Sequence, residues 1–304
     1  MSELRLSGLA RPRFWPTWIG LGLLRLVSWL PLPLISMLGA GFGWLMYALH
    51  RPRRHVVFIN ISRCFPALST REHRRMTRRH FRAFGQALFD IAIAWWASPR
   101  RLQRLVRFRD RHYFDEVRAA GRNVILLAPH FLGLEIGGVR LSMETPVVSV
   151  FHHPRNSLMR ALMWRGRTRF GAKLVHYDRS FTTLVRAVKG GTPLYYLPDQ
   201  DAGRRHSVFA PFFGIPAATF TALARLARMT DAVVIPCVTY QRPLGLGFET
   251  VFFPPLTHLS GTAVLEDTTR MNAAIENAVR VHPEQYFWLH KRFKTRPPGE
   301  PKFY

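Results

Sequence analysis

His130 and Glu135 stand five residues apart in the stretch Val124-Ile125-Leu126-Leu127-Ala128-Pro129-His130-Phe131-Leu132-Gly133-Leu134-Glu135. A carboxylate on one imidazole nitrogen fixes the tautomer and stabilises the imidazolium, leaving the other nitrogen to take a proton from an alcohol. The apolar run reads as a buried strand that ends at Pro129. His130 then falls where strand gives way to helix, the place where α/β folds present reactive groups. Residues five apart on a continuous helix lie about 140° apart. His130 and Glu135 can therefore pair only if His130 precedes the first turn, which Pro129 and Gly133 permit. By itself H-x-x-x-x-E is a weak signal, and its force depends on the rest of the chain.

Other chemistries lack their parts. No G-x-S-x-G is present, so a serine hydrolase elbow is unsupported. Neither Cys64 nor Cys237 has a nearby base in sequence, and together they make no metal-ligand spacing and no disulfide framework. His152 and His153 are adjacent on one predicted strand and point to opposite faces, a poor arrangement for chelation. Direct attack by an acceptor hydroxyl on a thioester, without an acyl-enzyme, is the simplest chemistry left to a His–Glu pair.

Three further clusters carry charge that could meet a substrate. Trp164-Arg165-Gly166-Arg167-Thr168-Arg169 alternates arginines that could cradle phosphate or form a solvated helix end. Tyr195-Tyr196-Leu197-Pro198-Asp199-Gln200-Asp201-Ala202-Gly203-Arg204-Arg205 repeats the order strand, proline, charge. Its aspartates could hold a metal or orient arginines around an anionic headgroup, and ion pairing is the preferred reading. Near the C-terminus, residues 283–297 place aromatics before His290, Lys291, Arg292, Lys294 and Arg296, a pattern that also suits an RNA surface.

Composition narrows the partners. The 304 residues include 44 basic and 18 acidic side chains, for a formal charge of +26. Of the basic residues, 39 are Arg and 5 are Lys. Guanidinium forks bind phosphate and carboxylate in bidentate fashion, so a polyanionic partner is expected, either nucleic acid or a phosphorylated lipid surface. Residues 26–49 carry no formal charge and are long enough to cross a hydrocarbon core of roughly 30 Å, which favours the lipid. Pro31 and Pro33 interrupt the run, leaving a span, a kinked span or an in-plane helix open.

The elements that must position these residues follow from periodicity. Ser69-Thr70-Arg71-Glu72 has the form of a capping box and opens a helix to about Trp96. Its first turns carry Arg71, Arg74, Arg75, Arg78, Arg79 and Arg82, a basic amphipathic face suited to anionic headgroups. From residue 122, short apolar runs at 124–128, 147–151, 173–176, 194–197, 233–240 and 248–253 alternate with helical stretches at 158–169, 181–189, 220–229 and 267–280. That alternation argues for an α/β sheet. The expected organisation is a membrane anchor over residues 1–55 and one catalytic domain over 56–304.

At these points the chain resembles the bacterial lipid A secondary acyltransferases, the lauroyl and myristoyl transferases, within the glycerolipid acyltransferase superfamily. The resemblance runs from the anchor and Asn60-Ile61-Ser62-Arg63-Cys64-Phe65-Pro66 through His130…Glu135, Gly166-Arg167 and Pro198-Asp199-Gln200-Asp201. It continues through Ser207-Val208-Phe209-Ala210-Pro211-Phe212-Phe213-Gly214 to Trp288…Pro297. Glu135, where glycerol-phosphate acyltransferases usually carry Asp, favours the lipid A branch. The chain departs from the pattern at His153-Pro154-Arg155-Asn156-Ser157, which bears on acceptor or acyl preference.

The resemblance implies a mixed, largely parallel sheet flanked by helices, with an N-terminal membrane helix. It implies His130 as general base with Glu135 as its orienting partner, and Arg167, Asp199, Asp201, Arg205 and His290 as residues that shape the site, with Arg292 beside them as a substrate-binding candidate. The activity implied is acyl transfer from acyl carrier protein to a hydroxyl of a lipid A precursor, without metal or other cofactor. Such an enzyme is expected on the inner membrane, facing the cytoplasm, with no nucleic-acid partner. Acylation of another lipid, such as an ornithine lipid or a glycolipid, and a non-catalytic basic membrane- or RNA-binding protein are the competing readings.

Overall fold

The computed structural model describes residues 11–152, 154–176, 180–205 and 207–304. The predicted N-terminal run becomes two helices, α1 (Trp15–Val27) and α2 (Leu32–Leu49), separated where Pro31 ends the first path and enters α2 as its N-cap. The helical region thus begins before the uncharged run and takes in Arg25. Helix α3 (Arg51–Cys64) follows at once and sends Val57 and Ile61 into the core, so residue 55 lies inside a helix.

Helix α4 (Thr70–Trp96) starts as predicted. Glu72 N–H donates to Ser69 Oγ at 3.3 Å, and Ser69 N–H donates to the Glu72 carboxylate at 2.8 Å. All six arginines of its first turns are exposed. Its buried face carries His73, Thr77, His80, Phe81, Gln86 and Asp90 as well as apolar side chains. Helix α2 lies along it in the opposite direction. A Cβ on Gly43 would come 2.0 Å from the Phe81 carbonyl oxygen, and one on Gly85 would come 2.1 Å from that of Gly39. Only glycine allows the two backbones this approach.

Beyond α5 (Pro99–Leu105) the strands are β1 (Val106–Arg109), β2 (Asn123–Leu127), β3 (Val148–Phe151), β4 (Lys173–His176), β5 (Leu194–Tyr196), β8 (Ala232–Gln241) and β9 (Phe248–Phe252). They form one sheet in the order β1-β9-β8-β2-β5-β3-β4, parallel throughout except between β8 and β9. The connecting helices are α6 (His112–Ala119), α7 (Leu134–Ser142), α8 (Ser157–Thr168), α9 (Ser180–Lys189), α10 (Ala222–Thr230) and α11 (Val264–Val281). This is the mixed, largely parallel α/β sheet expected from the strand–helix alternation.

Two features departed from periodicity. Strand β1 alternates arginines with Val106 and Phe108 at the sheet edge and shows no apolar run. Residues 207–220 form a separate hairpin, β6 (Ser207–Phe212) with β7 (Ile215–Phe220), turning at Phe213 and Gly214. Both turn residues have positive φ, 51° and 75°, the geometry that matches strand twist in a two-residue hairpin. Phe220 therefore ends a strand, and the helix predicted from 220 begins at Ala222.

Candidate active site

Strands β2 and β5 are parallel neighbours with Leu127 opposite Tyr196, and Ala128 N–H continues the pairing to the Tyr196 carbonyl at 2.8 Å. Each strand then passes through a proline, Pro129 or Pro198. Three residues beyond the paired positions stand His130 and Asp199. The register brings them together: Asp199 Oδ1 lies 2.7 Å from His130 Nδ1, and His130 N–H donates to Asp199 Oδ2 at 2.9 Å.

Asp199 is buried, which by itself pushes its carboxyl up. The charge of His130, hydrogen bonds from its ring and backbone, and the Tyr286 hydroxyl outweigh that and hold the carboxyl at about 2. An ionised Asp199 places the proton on Nδ1. Nε2 is without a hydrogen-bond partner among the described residues, and the His130 side chain remains one-quarter exposed.

The orienting carboxylate on His130 is thus Asp199, where the sequence led to Glu135. Glu135 sits in the first turn of α7, where the helix N-terminus favours a carboxylate. Its oxygens are taken by Arg167, through Nε at 2.9 and 3.1 Å and Nη2 at 2.7 Å, and by the Trp95 indole N–H at 2.9 Å. Burial pushes the Glu135 carboxyl up, but Arg167 and Trp95 reverse the shift and hold it below the usual carboxylate range. The Gly166-Arg167 pair has a steric basis: a Cβ on Gly166 would come 2.3 Å from the Trp95 ring. Glycine lets α8 close on Trp95 and delivers Arg167 to Glu135.

Glu135 and Arg167 line an otherwise largely apolar cavity of about 70 Å³, open to solvent, with Leu134, Gly138, Val139, Ser142, Val147, Ser149, Val150, Ala172, Leu174, Tyr195 and Leu197. Arg167 Nη1 has no protein partner among the described residues.

The C-terminal segment clamps the other side. Phe287 N–H donates to the His130 carbonyl at 2.9 Å, Leu132 N–H donates to the Gln285 carbonyl at 2.9 Å, and Phe131 bridges to Tyr286. Buried Asn60 on α3 donates to the carbonyls of Trp288 and His290, both at 2.8 Å, and so anchors that segment. His290 Nε2 accepts from Asp201 N–H at 2.8 Å, and burial pushes its imidazole down to about 4, so it is neutral. A narrow cleft is lined by His130, Asp199, Tyr286, His290 and Arg292, among others.

Three predicted site residues do other work or stand apart. Asp201 receives the backbone N–H and hydroxyl of Thr295, each at 3.0 Å, which holds the C-terminal turn. Arg292 is fully buried, donating to the Ala218 carbonyl at 3.0 Å and Thr219 Oγ1 at 2.7 Å. It ties the β6–β7 hairpin to the C-terminal segment and lines the same narrow cleft as His130 and Asp199. Arg205 is exposed in the turn at 203–205, without an ion pair or hydrogen bond to the described residues. His153 in the divergent segment lies outside the described residues.

Two residues that sequence reasoning missed also contact the site: Trp95 donates to Glu135, and the Tyr286 hydroxyl lies beside Asp199. The repeated order of strand, proline and polar residue at 128–130 and 197–199 was the available signal for the His130–Asp199 pair.

The chain is similar to known proteins along nearly its whole length. Residues 5–295 match the family model described as bacterial lipid A biosynthesis acyltransferase. The lipid A biosynthesis lauroyltransferase of Escherichia coli (strain K12) is 36% identical over 301 residues, 98% of this chain and 97% of that protein. The palmitoleoyltransferase of the same organism is 32% identical over 294 residues, 96% and 95% of the two chains, and its myristoyltransferase 29% identical over 290 residues, 95% and 90%. With a match along nearly its whole length and a His130 site built by the register of its central strands, the chain belongs to the bacterial lipid A biosynthesis acyltransferase family.

Proposed function

We propose that this acyltransferase moves a fatty acyl group from acyl-acyl carrier protein to a hydroxyl of a lipid A precursor, with His130 as general base. The observation that carries this reading is the His130–Asp199 pair, which leaves Nε2 as the one ring nitrogen able to take a proton. The acceptor hydroxyl gives its proton to Nε2 as its oxygen attacks the thioester carbonyl. Collapse of the tetrahedral species releases the carrier thiolate, which takes that proton from the imidazolium.

Asp199 stabilises the imidazolium in between. Glu135 acts through Arg167: it holds the guanidinium rigidly, with Nη1 left for an anionic or carbonyl oxygen of substrate. The apolar cavity beside this pair suits an acyl chain, and Arg205 offers countercharge to acceptor phosphate at the rim.

No cofactor and no acyl-enzyme are required by this scheme. The carboxylates of Asp199 and Asp201 are engaged by His130 and Thr295. The thiols of Cys64 and Cys237 are buried, and burial pushes both up, away from the reactive thiolate. The exposed arginines of α4 suit an acidic donor protein, and a cytosolic donor supports a catalytic domain on the cytoplasmic side of the inner membrane.

The test is transfer of labelled acyl group from its carrier protein to a detergent-dissolved lipid A precursor. His130→Ala should lower the rate about 10²–10⁴-fold. A folded variant at the wild-type rate would overturn the mechanism, and transfer only to an ornithine lipid or glycolipid would replace the acceptor while keeping the base.

A further inference from the structure

Helix α2 is fastened lengthwise to α4 through Gly39, Gly43 and Gly85, backbone against backbone. To cross a bilayer it would have to carry α4 with it, together with the exposed Arg78, Arg79 and Arg82. Yet its outer face is apolar and uncovered: Met37 is 70% exposed and Trp44 62%, and in the α1–α2 connection Trp29 is 65% exposed. Such a surface is far from that of a water-facing helix.

The turn between β8 and β9 continues this surface from within the catalytic domain. Leu244 and Leu246 are 81% and 60% exposed, although Pro243-Leu244-Gly245-Leu246 lies between two core strands. Leu244 has φ 56°, a left-handed conformation that a leucine rarely adopts, and gains no burial in return. Gly245 seats against the first turn of α2, where a Cβ would come 2.7 Å from the Leu32 carbonyl oxygen. The guanidinium of Arg101 binds the carbonyls of Ser28 and Leu30, fixing the α1–α2 connection to the domain.

We propose that the β8–β9 turn enters the lipid leaflet through Leu244 and Leu246, so that α1, α2 and this turn form one in-plane membrane face. The occupant is the acyl region of a single leaflet. Trp29 and Trp44 match its interfacial layer, and Arg25, stacked 5.3 Å from the Trp29 ring, matches anionic headgroups. The turn follows the C-terminal end of β8, which is parallel to β2, so it lies toward the same sheet edge as His130. A lipid acceptor would then meet the base from the leaflet in which it resides. This last point rests on the acyltransferase reading above; insertion of the turn does not.

The full-length chain with Leu244→Cys, labelled with an environment-sensitive fluorophore, tests the proposal, since Cys64 and Cys237 are both buried. Vesicles of phosphatidylethanolamine and phosphatidylglycerol, with or without brominated acyl chains, are added at high salt. The label should shift to the blue and be quenched about twofold or more by brominated lipid. A label on Ala120→Cys, at the opposite edge of the sheet, should be unaffected. An unquenched Leu244 label on protein that floats with the vesicles would overturn the proposal, as would a label equally shielded without vesicles, which would mean a second copy covers the turn. Combined Leu244→Ser and Leu246→Ser should weaken vesicle partitioning about tenfold while preserving transfer to detergent-dissolved acceptor. Loss of that transfer in the wild-type chain would count against the proposed activity and leave the insertion result standing.

Discussion

Asp199 reaches His130 at 2.7 Å because the two residues end adjacent parallel strands in the same register, each one step past a proline. Sixty-nine residues of chain separate them, and the geometry owes nothing to local spacing. Asp199→Asn keeps the size of the side chain but loses the charge that favours the imidazolium. It should lower the rate about 10²–10⁴-fold with little change in KM. Steady-state kinetics of Asp199→Asn beside Glu135→Gln checks this, and a silent Asp199→Asn would return the orienting role to Glu135.

The Glu135–Arg167 pair is largely buried in the cavity wall, with the side chains 16% and 29% exposed, so removing one partner strands much of the other's charge. Either Glu135→Gln or Arg167→Met alone should cost about 3 kcal/mol of stability. The double variant should recover most of that loss yet remain inactive. Denaturant titration set against acyl-transfer rate separates the two effects, and an active double variant would show that the pair only supports the fold.

Stability should fall on both sides of a window between about pH 6 and 7. Burial pushes His80 and His290 down to about 4. The unfolded chain therefore binds protons from near pH 6.5 downward while the native chain resists, and stability declines as pH falls toward 4. Asp90 is pushed up by burial to about 8, with Gln241 donating to its Oδ2 at 2.9 Å. Its carboxyl ionises first in the unfolded chain, so that contribution is full below about pH 4 and is lost as pH rises toward 8. Asp90→Asn should remove the alkaline decline, an effect on the order of a few kcal/mol at pH 8. Unfolding curves across pH test it, and an unchanged alkaline slope would refute the assignment to Asp90.

Closing α2 on α4 requires glycine at the crossing. Gly43→Val would drive a branched side chain into the Phe81 carbonyl and should destabilise the chain by about 1–3 kcal/mol. Hydrogen exchange should rise in α2 and in the facing part of α4 first. Protection unchanged in both helices would mean that the contact contributes little.

Arg205 and Arg292, both substrate-binding candidates from sequence, should behave differently. Arg205→Ala should raise KM for the anionic acceptor several-fold, more at low salt than at high, with stability intact. Arg292→Met should lower stability because it leaves the Ala218 carbonyl and Thr219 hydroxyl inside without their donor. Comparing KM and thermal midpoints of the two variants decides this.

The sequence by itself determined the features that local physics controls. Apolar runs between helical stretches specified most of the sheet strands, Ser69 and Glu72 specified the start of α4, and the uncharged N-terminal run with its prolines specified an apolar helix broken near Pro31. It also brought His130 to the end of a buried strand, since a β-run closed by Pro129 has no other way to end. Partners were decided only by tertiary structure. Which carboxylate meets His130 depends on strand order and register, and Glu135 was the nearer choice only along the chain. Arg292 looked like a surface cation because charge pattern carries no record of burial. Trp95 looked like core because its indole N–H finds Glu135 only after Gly166 lets α8 approach. Side-chain type and spacing fix what each residue can do, and the packing of distant strands and helices fixes with whom.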